Sequence, residues 1–240
     1  MKTQRILSFS GFLAVGLCLA ACFAGCADGP IPEIGMMNPW VRKQWEADES
    51  HGPTYHRRVA LLGRWRSQAR SLPKLEQEKT SRELVQQFHD ERSPVLRVEI
   101  LRALAEFPTY EAQTTLLVAT TDADPKLRIA ACRGLGKRQC PESLEALGAA
   151  LGGDTELDVR IAAARALASF NDRGAVDALA VGLNDDDPAL QAAVMESLQS
   201  ITGRDYGTSV PTWREYLAGG NPPRPPGPSI AQRLNDYVLW

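Results

Sequence analysis

The stretch DADPKLRIAACRGL, residues 122–135, decides the fold, because its pattern returns along the chain at a nearly constant interval. In each copy, a leucine or valine precedes a polar anchor near the start of a helical segment. The anchors are Arg97, Arg128 and Arg160, with Gln191 in the last copy, and the steps between them are 31, 32 and 31 residues. A fixed period of this size predicts a stack of similar helical units.

Each repeat is predicted to hold two helices. The first begins at Ser93-Pro94, Asp124-Pro125 or Asp187-Pro188, because an acceptor side chain caps a helix and proline fits its first position. Repeat three has Thr155-Glu156-Leu157 there instead. Apolar residues spaced by four give this helix one buried face, with columns 96/127/159/190, 100/131/163/194 and 104/135/167/198. The second helix aligns Leu116, Leu147 and Leu179, and small residues at 103/134/166/197 favour close helix packing.

Residues 1–21 are predicted to be a signal peptide, with Lys2 and Arg5 before an apolar run that is short for a spanning helix. Its end, Leu19-Ala20-Ala21-Cys22, resembles the bacterial lipobox. That resemblance implies lipid on Cys22, with Cys26 as the alternative acceptor; the other possibility is an ordinary signal peptide with incidental cysteines. Two or three acyl chains anchor a protein stably. We therefore expect a lipid-anchored protein of the bacterial cell envelope.

The rest of the chain divides by composition. A predicted flexible tether at 22–38 holds Gly29, Pro30, Pro32 and Gly35 and lacks a periodic apolar pattern, and proline-opened helices predict an N-terminal helical cap at 39–92. In the cap, we expect Leu75 to face inward. Trp40, Trp45 and Trp65 either seal the end of the stack or form a partner's hot spot. Four repeats follow at 93–123, 124–154, 155–186 and 187–220, then a proline-rich tail with a short terminal helix at 221–240.

The repeat segments resemble a known family. DADPKLRIAA (122–131) and LDVRIAAARAL (157–167) look like HEAT-like repeats of the phycobilisome-lyase type. The ending with Thr202-Gly203, Tyr206-Gly207 and Trp213 is similar to the last repeat of many bacterial exported HEAT-like proteins. The resemblance implies an all-α, right-handed solenoid of helix pairs. It implies little about function, because the family includes scaffolds, adaptors and a few enzyme subunits.

Two arginine columns are candidates for function. In HEAT-type repeats, the arginine near the start of the first helix pairs with a turn aspartate, which implies a structural ladder of Arg97, Arg128 and Arg160 with Asp122, Asp154 and Asp185. The alternative is a basic ladder that grips an acidic ligand. A second column, Arg102, Arg133 and Arg165, has no obvious partners and is a candidate for partner binding. On the face of the second helices, the exposed candidates are Gln113, Glu142, Glu145, Asp177 and Arg214.

Other chemistry finds little support in the sequence. The formal charge of −2 argues against a nucleic-acid footprint. His51, His56 and His89 match no metal-ligand spacing, and neither a Gly-x-Ser-x-Gly elbow nor a phosphate loop is present. Cys132 fits an apolar column and is expected in the core, with a Cys132–Cys140 disulfide as the alternative. We therefore expect no metal and no cofactor.

The sequence thus predicts a non-enzymatic scaffold or adaptor that is tethered to a membrane and binds an unidentified protein through its second helices. The alternative is an accessory subunit of a lyase or another cofactor-handling enzyme, which rests on analogy between folds alone.

Overall fold

The structure, a computed structural model, describes residue 43 and residues 53–223. The chain divides into two compact units, Met1–Arg58 and Val59–Trp240, and the boundary between them falls inside the predicted cap. The predicted signal peptide and tether, with Cys22 and Cys26, lie outside the described residues. So do Trp40, Trp45 and the tail beyond residue 223.

The described residues form ten α-helices and no strand. The first is α1 (Tyr55–Gln68), and a 3₁₀ turn at Ala69–Ser71 follows it. The second is α2 (Lys74–Asp90). Four helix pairs follow: α3 (Pro94–Leu104) with α4 (Tyr110–Ala119), α5 (Pro125–Leu135) with α6 (Pro141–Gly153), α7 (Leu157–Leu167) with α8 (Arg173–Gly182), and α9 (Pro188–Thr202) with α10 (Val210–Leu217).

The first helix of each pair begins where a side chain satisfies free backbone N–H groups. The Ser93 hydroxyl accepts from the Leu96 N–H at 3.5 Å, and Asp124 and Asp187 accept from the N–H groups two residues on, at 2.9 and 2.8 Å. The start of α7 differs, because Glu156 accepts no such bond. This start keeps only a second bond that α5 and α9 also have: Asp154 accepts from the Glu156 N–H at 2.9 Å, as Asp122 and Asp185 accept from the N–H groups two residues on.

The helices form two layers. The first helices α3, α5, α7 and α9 pack side by side, and so do the second helices α4, α6 and α8. Each of α5, α7 and α9 also packs against the second helix of the preceding pair. This arrangement is an α-solenoid, which confirms the predicted fold class. Since α2 packs against α3 and α4 in the same way, α2 takes a second-helix position ahead of the first predicted repeat.

The core follows the predicted columns. Every member of the three apolar columns of the first helices is buried, as are Leu116, Leu147 and Leu179. The small-residue column is buried as well, and a Cβ on Gly134 would lie 2.8 Å from the Leu116 Cδ2 atom. A glycine at this position therefore lets α4 approach α5 closely.

Two predictions about the ends of the stack need correction. Leu75 does not face inward: 74 % of it is exposed, because it lies in the first turn of α2, before the buried residues Leu84 and Phe88. At the other end, Pro222 is buried, so the packed chain extends past the predicted boundary at residue 220. Trp65 is half-buried and packs against the core, in line with a sealing role.

Candidate partner-binding surface

The first arginine column forms a ladder of ion pairs. The Arg97 Nη2 lies 3.0 Å from the Asp122 Oδ2, and the Arg160 Nε lies 3.3 Å from the Asp185 Oδ2. Arg128 makes the tightest pair, because its Nε and Nη2 donate to the two oxygens of Asp154 at 2.7 and 2.8 Å. Each arginine on a first helix therefore reaches the turn that follows the second helix of its own repeat.

The same column also reaches backward, which sequence reasoning missed. The Arg128 Nη1 donates to the Asp122 carbonyl at 2.9 Å, and the Arg160 Nη1 donates to the Asp154 carbonyl at 3.0 Å. Gln191 keeps this backward bond, because its side-chain amide donates to the Asp185 carbonyl at 2.7 Å. It cannot form the forward ion pair. Arg128 and Arg160 thus each join two successive inter-repeat turns. The signal was present in the sequence, because glutamine keeps an amide donor at this position.

Electrostatics reinforce the central pair of the ladder. Burial raises the pKa of Asp154, but the hydrogen bonds from Arg128 and from the Glu156 N–H outweigh it and hold the pKa below its usual value. The same hydrogen bond raises the pKa of Arg128 despite the opposing effect of burial. At the start of the ladder, the Arg97 guanidinium lies 4.6 Å from the ring centre of Phe88 and so connects α2 to the first pair.

The second arginine column lies on the exposed surface of the first helices. Arg102 pairs with Glu99 on the same helix, three residues away. Arg133 and Arg165 are exposed, and neither makes an ion pair or hydrogen bond with any residue that the structure describes. The structure therefore separates this column from the ladder and leaves two of its three members free.

The second helices expose a surface with a regular pattern, here called the second-helix surface. It consists of three rows, and each row has one residue from α4, one from α6 and one from α8. The rows are 110/141/173, 114/145/177 and 118/149/181. All nine residues are exposed. The row at the carboxyl ends of the helices is Val118, Ala149 and Val181, with the two valines 65 % and 55 % exposed. Tyr110, at the start of α4, is 80 % exposed. A contiguous exposed apolar patch is a feature of binding surfaces, whereas single scattered apolar side chains are not.

A groove of about 730 Å³ lies within the second-helix surface at α6. Its lining includes residues 120–123, Asp154 and Thr155 of the turns, together with four small residues of α6 that are here called its floor: Ala146, Ala149, Ala150 and Gly153. Glu142 and Glu145 also line it. Four of the α6 residues that line the groove have at most a methyl group as a side chain, which leaves this space open.

The five predicted second-helix candidates differ in their surroundings. Glu142 and Glu145 are exposed at the groove, and Asp177 is exposed but pairs with Arg173 at 2.8 Å. The pKa of Glu142 lies below its usual value, first because of the hydrogen bond with its own backbone N–H and second because of the one with the Cys140 thiol. Gln113 requires a correction: it is half-buried and donates to the Cys140 Sγ at 3.2 Å. Arg214 is exposed, but it donates to the Leu183 carbonyl at 2.8 Å and so ties α10 to the end of α8.

Arg138 is a structural residue that sequence reasoning missed. Its guanidinium donates to the carbonyls of Leu104, Phe107 and Thr109 in the preceding repeat. Burial lowers the pKa of Arg138. The equivalent positions in the neighbouring repeats are the buried Phe107 and Phe170. An arginine in a phenylalanine column was therefore the available signal for a partly buried charge at this joint.

Among the described residues, the cysteines and histidines form neither a disulfide nor a group that could hold a metal ion. Cys132 is buried and Cys140 is partly exposed, and both are free thiols, so the alternative of a disulfide between them is wrong. Burial raises the pKa of Cys132 to about 12, so its thiol stays protonated. In the part of the chain described, which includes His56 and His89, no group of three or more His, Cys, Asp and Glu residues is arranged to hold a metal ion.

The stacked helix pairs and their ladder define the class: this protein is a helical repeat scaffold of the kind that binds other proteins. The family model for HEAT repeats matches residues 81–162 and 145–218, which together make up more than half of the chain. The chain therefore belongs to the HEAT-repeat family. The match begins inside α2, in agreement with the second-helix position of that helix. No curated protein gives a significant match.

Proposed function

We propose that this protein is a membrane-anchored, non-enzymatic scaffold that binds a partner protein across the second-helix surface. The observation that carries the proposal is the exposed row Val118, Ala149 and Val181, which continues from repeat to repeat. The ladder residues hold the repeats together, and the predicted columns fill the core. The second-helix surface thus carries a regular apolar row that stays available to a partner.

The anchor in this proposal is the lipid on Cys22 that the lipobox implies, and the location is the bacterial cell envelope. Within residues 53–223, no helix combines the length and the apolar composition that crossing a bilayer requires. A lipid on the N-terminal segment would instead hold the repeats near the membrane surface through the predicted tether.

Site-specific photo-crosslinking tests which surface binds the partner. A photoreactive amino acid is placed at Ala149 or Val181 on the second-helix surface, and at Arg133 or Glu196 on the first helices as controls, in the full chain in its native membranes. We expect one discrete crosslinked protein from the Ala149 and Val181 positions and none from the controls. Crosslinks from the control positions alone, or from no position, would contradict the proposal.

A further inference from the structure

The groove at α6 differs from the rest of the second-helix surface in the charge along its edge. Four carboxylates line it, those of Asp122, Glu142, Glu145 and Asp154, against the single guanidinium of Arg128. Asp122 and Asp154 are neutralised by their arginines in the ladder. Among the described residues, no cation pairs with Glu142 or Glu145. The groove therefore keeps two negative charges that no cationic side chain of the described chain neutralises.

These two charges lie on one face of one helix. Glu142 and Glu145 are three residues apart on α6, so they occupy neighbouring positions on the helix surface. Like charges at neighbouring positions of a helix repel each other. A bound cation would remove that repulsion and gain a charge-assisted hydrogen bond.

The floor beside these charges is apolar and shallow. Ala146, Ala149 and Ala150 present only methyl groups, and Val118 and Val181 stand exposed in the repeats on either side. Small side chains let another backbone approach closely, and the flanking valines offer apolar contacts one repeat away. The groove therefore has room for a polypeptide segment with short apolar side chains.

We infer that the groove at α6 binds a segment of the partner protein in which a lysine or arginine contacts Glu142 and Glu145 while adjacent short apolar residues cover Ala146 and Ala149. This inference rests on the proposed function and adds the chemistry of the partner. Charge complementarity selects this occupant, because the same carboxylates repel anionic lipid headgroups and nucleic acid.

Fluorescence anisotropy with a defined probe tests the inference. The probe is a fluorescein-labelled peptide with four copies of Lys-Ala-Ala, and a Glu-Ala-Ala peptide of equal length is its counterpart. Both are titrated with the full chain in a non-ionic detergent. We expect the lysine peptide to bind and the double variant Glu142→Gln/Glu145→Gln to weaken its Kd at least tenfold.

A matched control separates position from net charge. The double variant Asp158→Asn/Glu196→Gln removes the same two charges from exposed positions on the first helices and is expected to keep Kd within twofold. Thermal melts establish that both variants are folded. An equal loss in the control, or equal binding of the glutamate peptide, would overturn the inference.

Photo-crosslinking from Ala149 distinguishes failure of this inference from failure of the proposed function. If the crosslinked partner persists in Glu142→Gln/Glu145→Gln at full yield, the cationic segment is wrong and the second-helix scaffold stands. If the second-helix positions capture no partner in the unmodified chain, the proposed function itself fails.

Discussion

At the scale of single residues, Arg128 shows how one side chain holds three segments in place. It is anchored in α5, binds both oxygens of Asp154 after α6, and donates to the Asp122 carbonyl before α5. Only 13 % of its side chain and 8 % of that of Asp154 are exposed. Removing one member of such a shielded ion pair destabilises the fold far more than removing one member of an exposed pair. The reason is that the remaining charge stays buried without its partner.

Arg128→Ala should therefore lower the free energy of unfolding by about 3 kcal/mol, the range for breaking a buried pair. Arg133→Ala, on the next turn of the same helix, removes an exposed arginine without a partner in the described chain. This substitution should change the free energy of unfolding by about 0.5 kcal/mol or less. Chemical denaturation followed by circular dichroism measures both. Unchanged stability in Arg128→Ala would move this column from structure to ligand binding.

The low pKa of Asp154 makes the contribution of this pair depend on pH. A carboxylate whose pKa is lower in the folded state stabilises the fold above its unfolded pKa, about 3.9 for Asp, and loses that effect as the pH falls through the folded pKa. The difference in unfolding free energy between the wild type and Asp154→Asn should thus be constant above about pH 5 and shrink below about pH 4. Urea denaturation across this range measures the difference.

The Arg128→Ala background provides the control for this pH dependence. There, Asp154→Asn should make a smaller difference at neutral pH, because the charge partner is already absent. A difference that does not change with pH in the wild-type background would mean that the ionised Asp154 does not stabilise the fold.

At the scale of elements, α10 closes the stack with an aromatic cluster. Trp213 is fully buried, its indole N–H donates to the Gly207 carbonyl at 3.1 Å, and its ring packs edge-on against Tyr206 at 5.2 Å between centroids. Gly219, with φ of 89°, then ends the helix, and the Gly220 N–H donates to the Glu215 carbonyl at 2.9 Å. This glycine-dependent turn is a Schellman ending, which satisfies the last carbonyls of α10.

Trp213→Ala should destabilise the protein by about 3–5 kcal/mol, the cost of removing a buried aromatic side chain. Deletion of residues 224–240, beyond the buried Pro222, should leave the melting temperature unchanged, so the deletion serves as the comparison. Differential scanning calorimetry of the two variants measures both effects. If the deletion unfolds the protein, the tail belongs to the core and the boundary placed here is wrong.

At the scale of the whole molecule, the proposed function depends on joining a binding surface to a membrane. The repeats supply the surface, and the proposed anchor is a lipid on the first residue of the mature chain. An anchored scaffold meets partners that share its membrane surface. Anchoring is therefore as testable a part of the proposal as the binding surface.

Cys22→Ser should abolish incorporation of radiolabelled palmitate when the full chain is expressed in a bacterium with lipoprotein processing, because the lipobox places the acylated thiol at this position. Cys26→Ser should leave the label in place. Autoradiography of the immunoprecipitated protein measures incorporation. Label that survives Cys22→Ser but not Cys26→Ser would assign the other cysteine, and label unaffected by either change would refute the lipobox.

Much of the fold could be predicted from the sequence because the same pattern of residue types recurs in each repeat. The period of 31 or 32 residues fixes equivalent positions, and a column such as Leu104, Leu135, Leu167 and Leu198 then marks a buried face without knowledge of any neighbour. The ladder was foreseeable for the same reason, since its arginines and aspartates recur at fixed offsets. The HEAT-repeat family followed from these same positions.

Only the tertiary structure decided which polar and apolar residues are available to a partner. Gln113 was expected on the surface but lies against Cys140, and Leu75 was expected in the core but is exposed. The periodicity of one helix says which residues share a face, whereas exposure depends on the neighbouring helix that covers the face. The groove at α6 is a further example, because residues of α6 and residues 120–123 of the preceding turn line it together, a relation that packing alone creates.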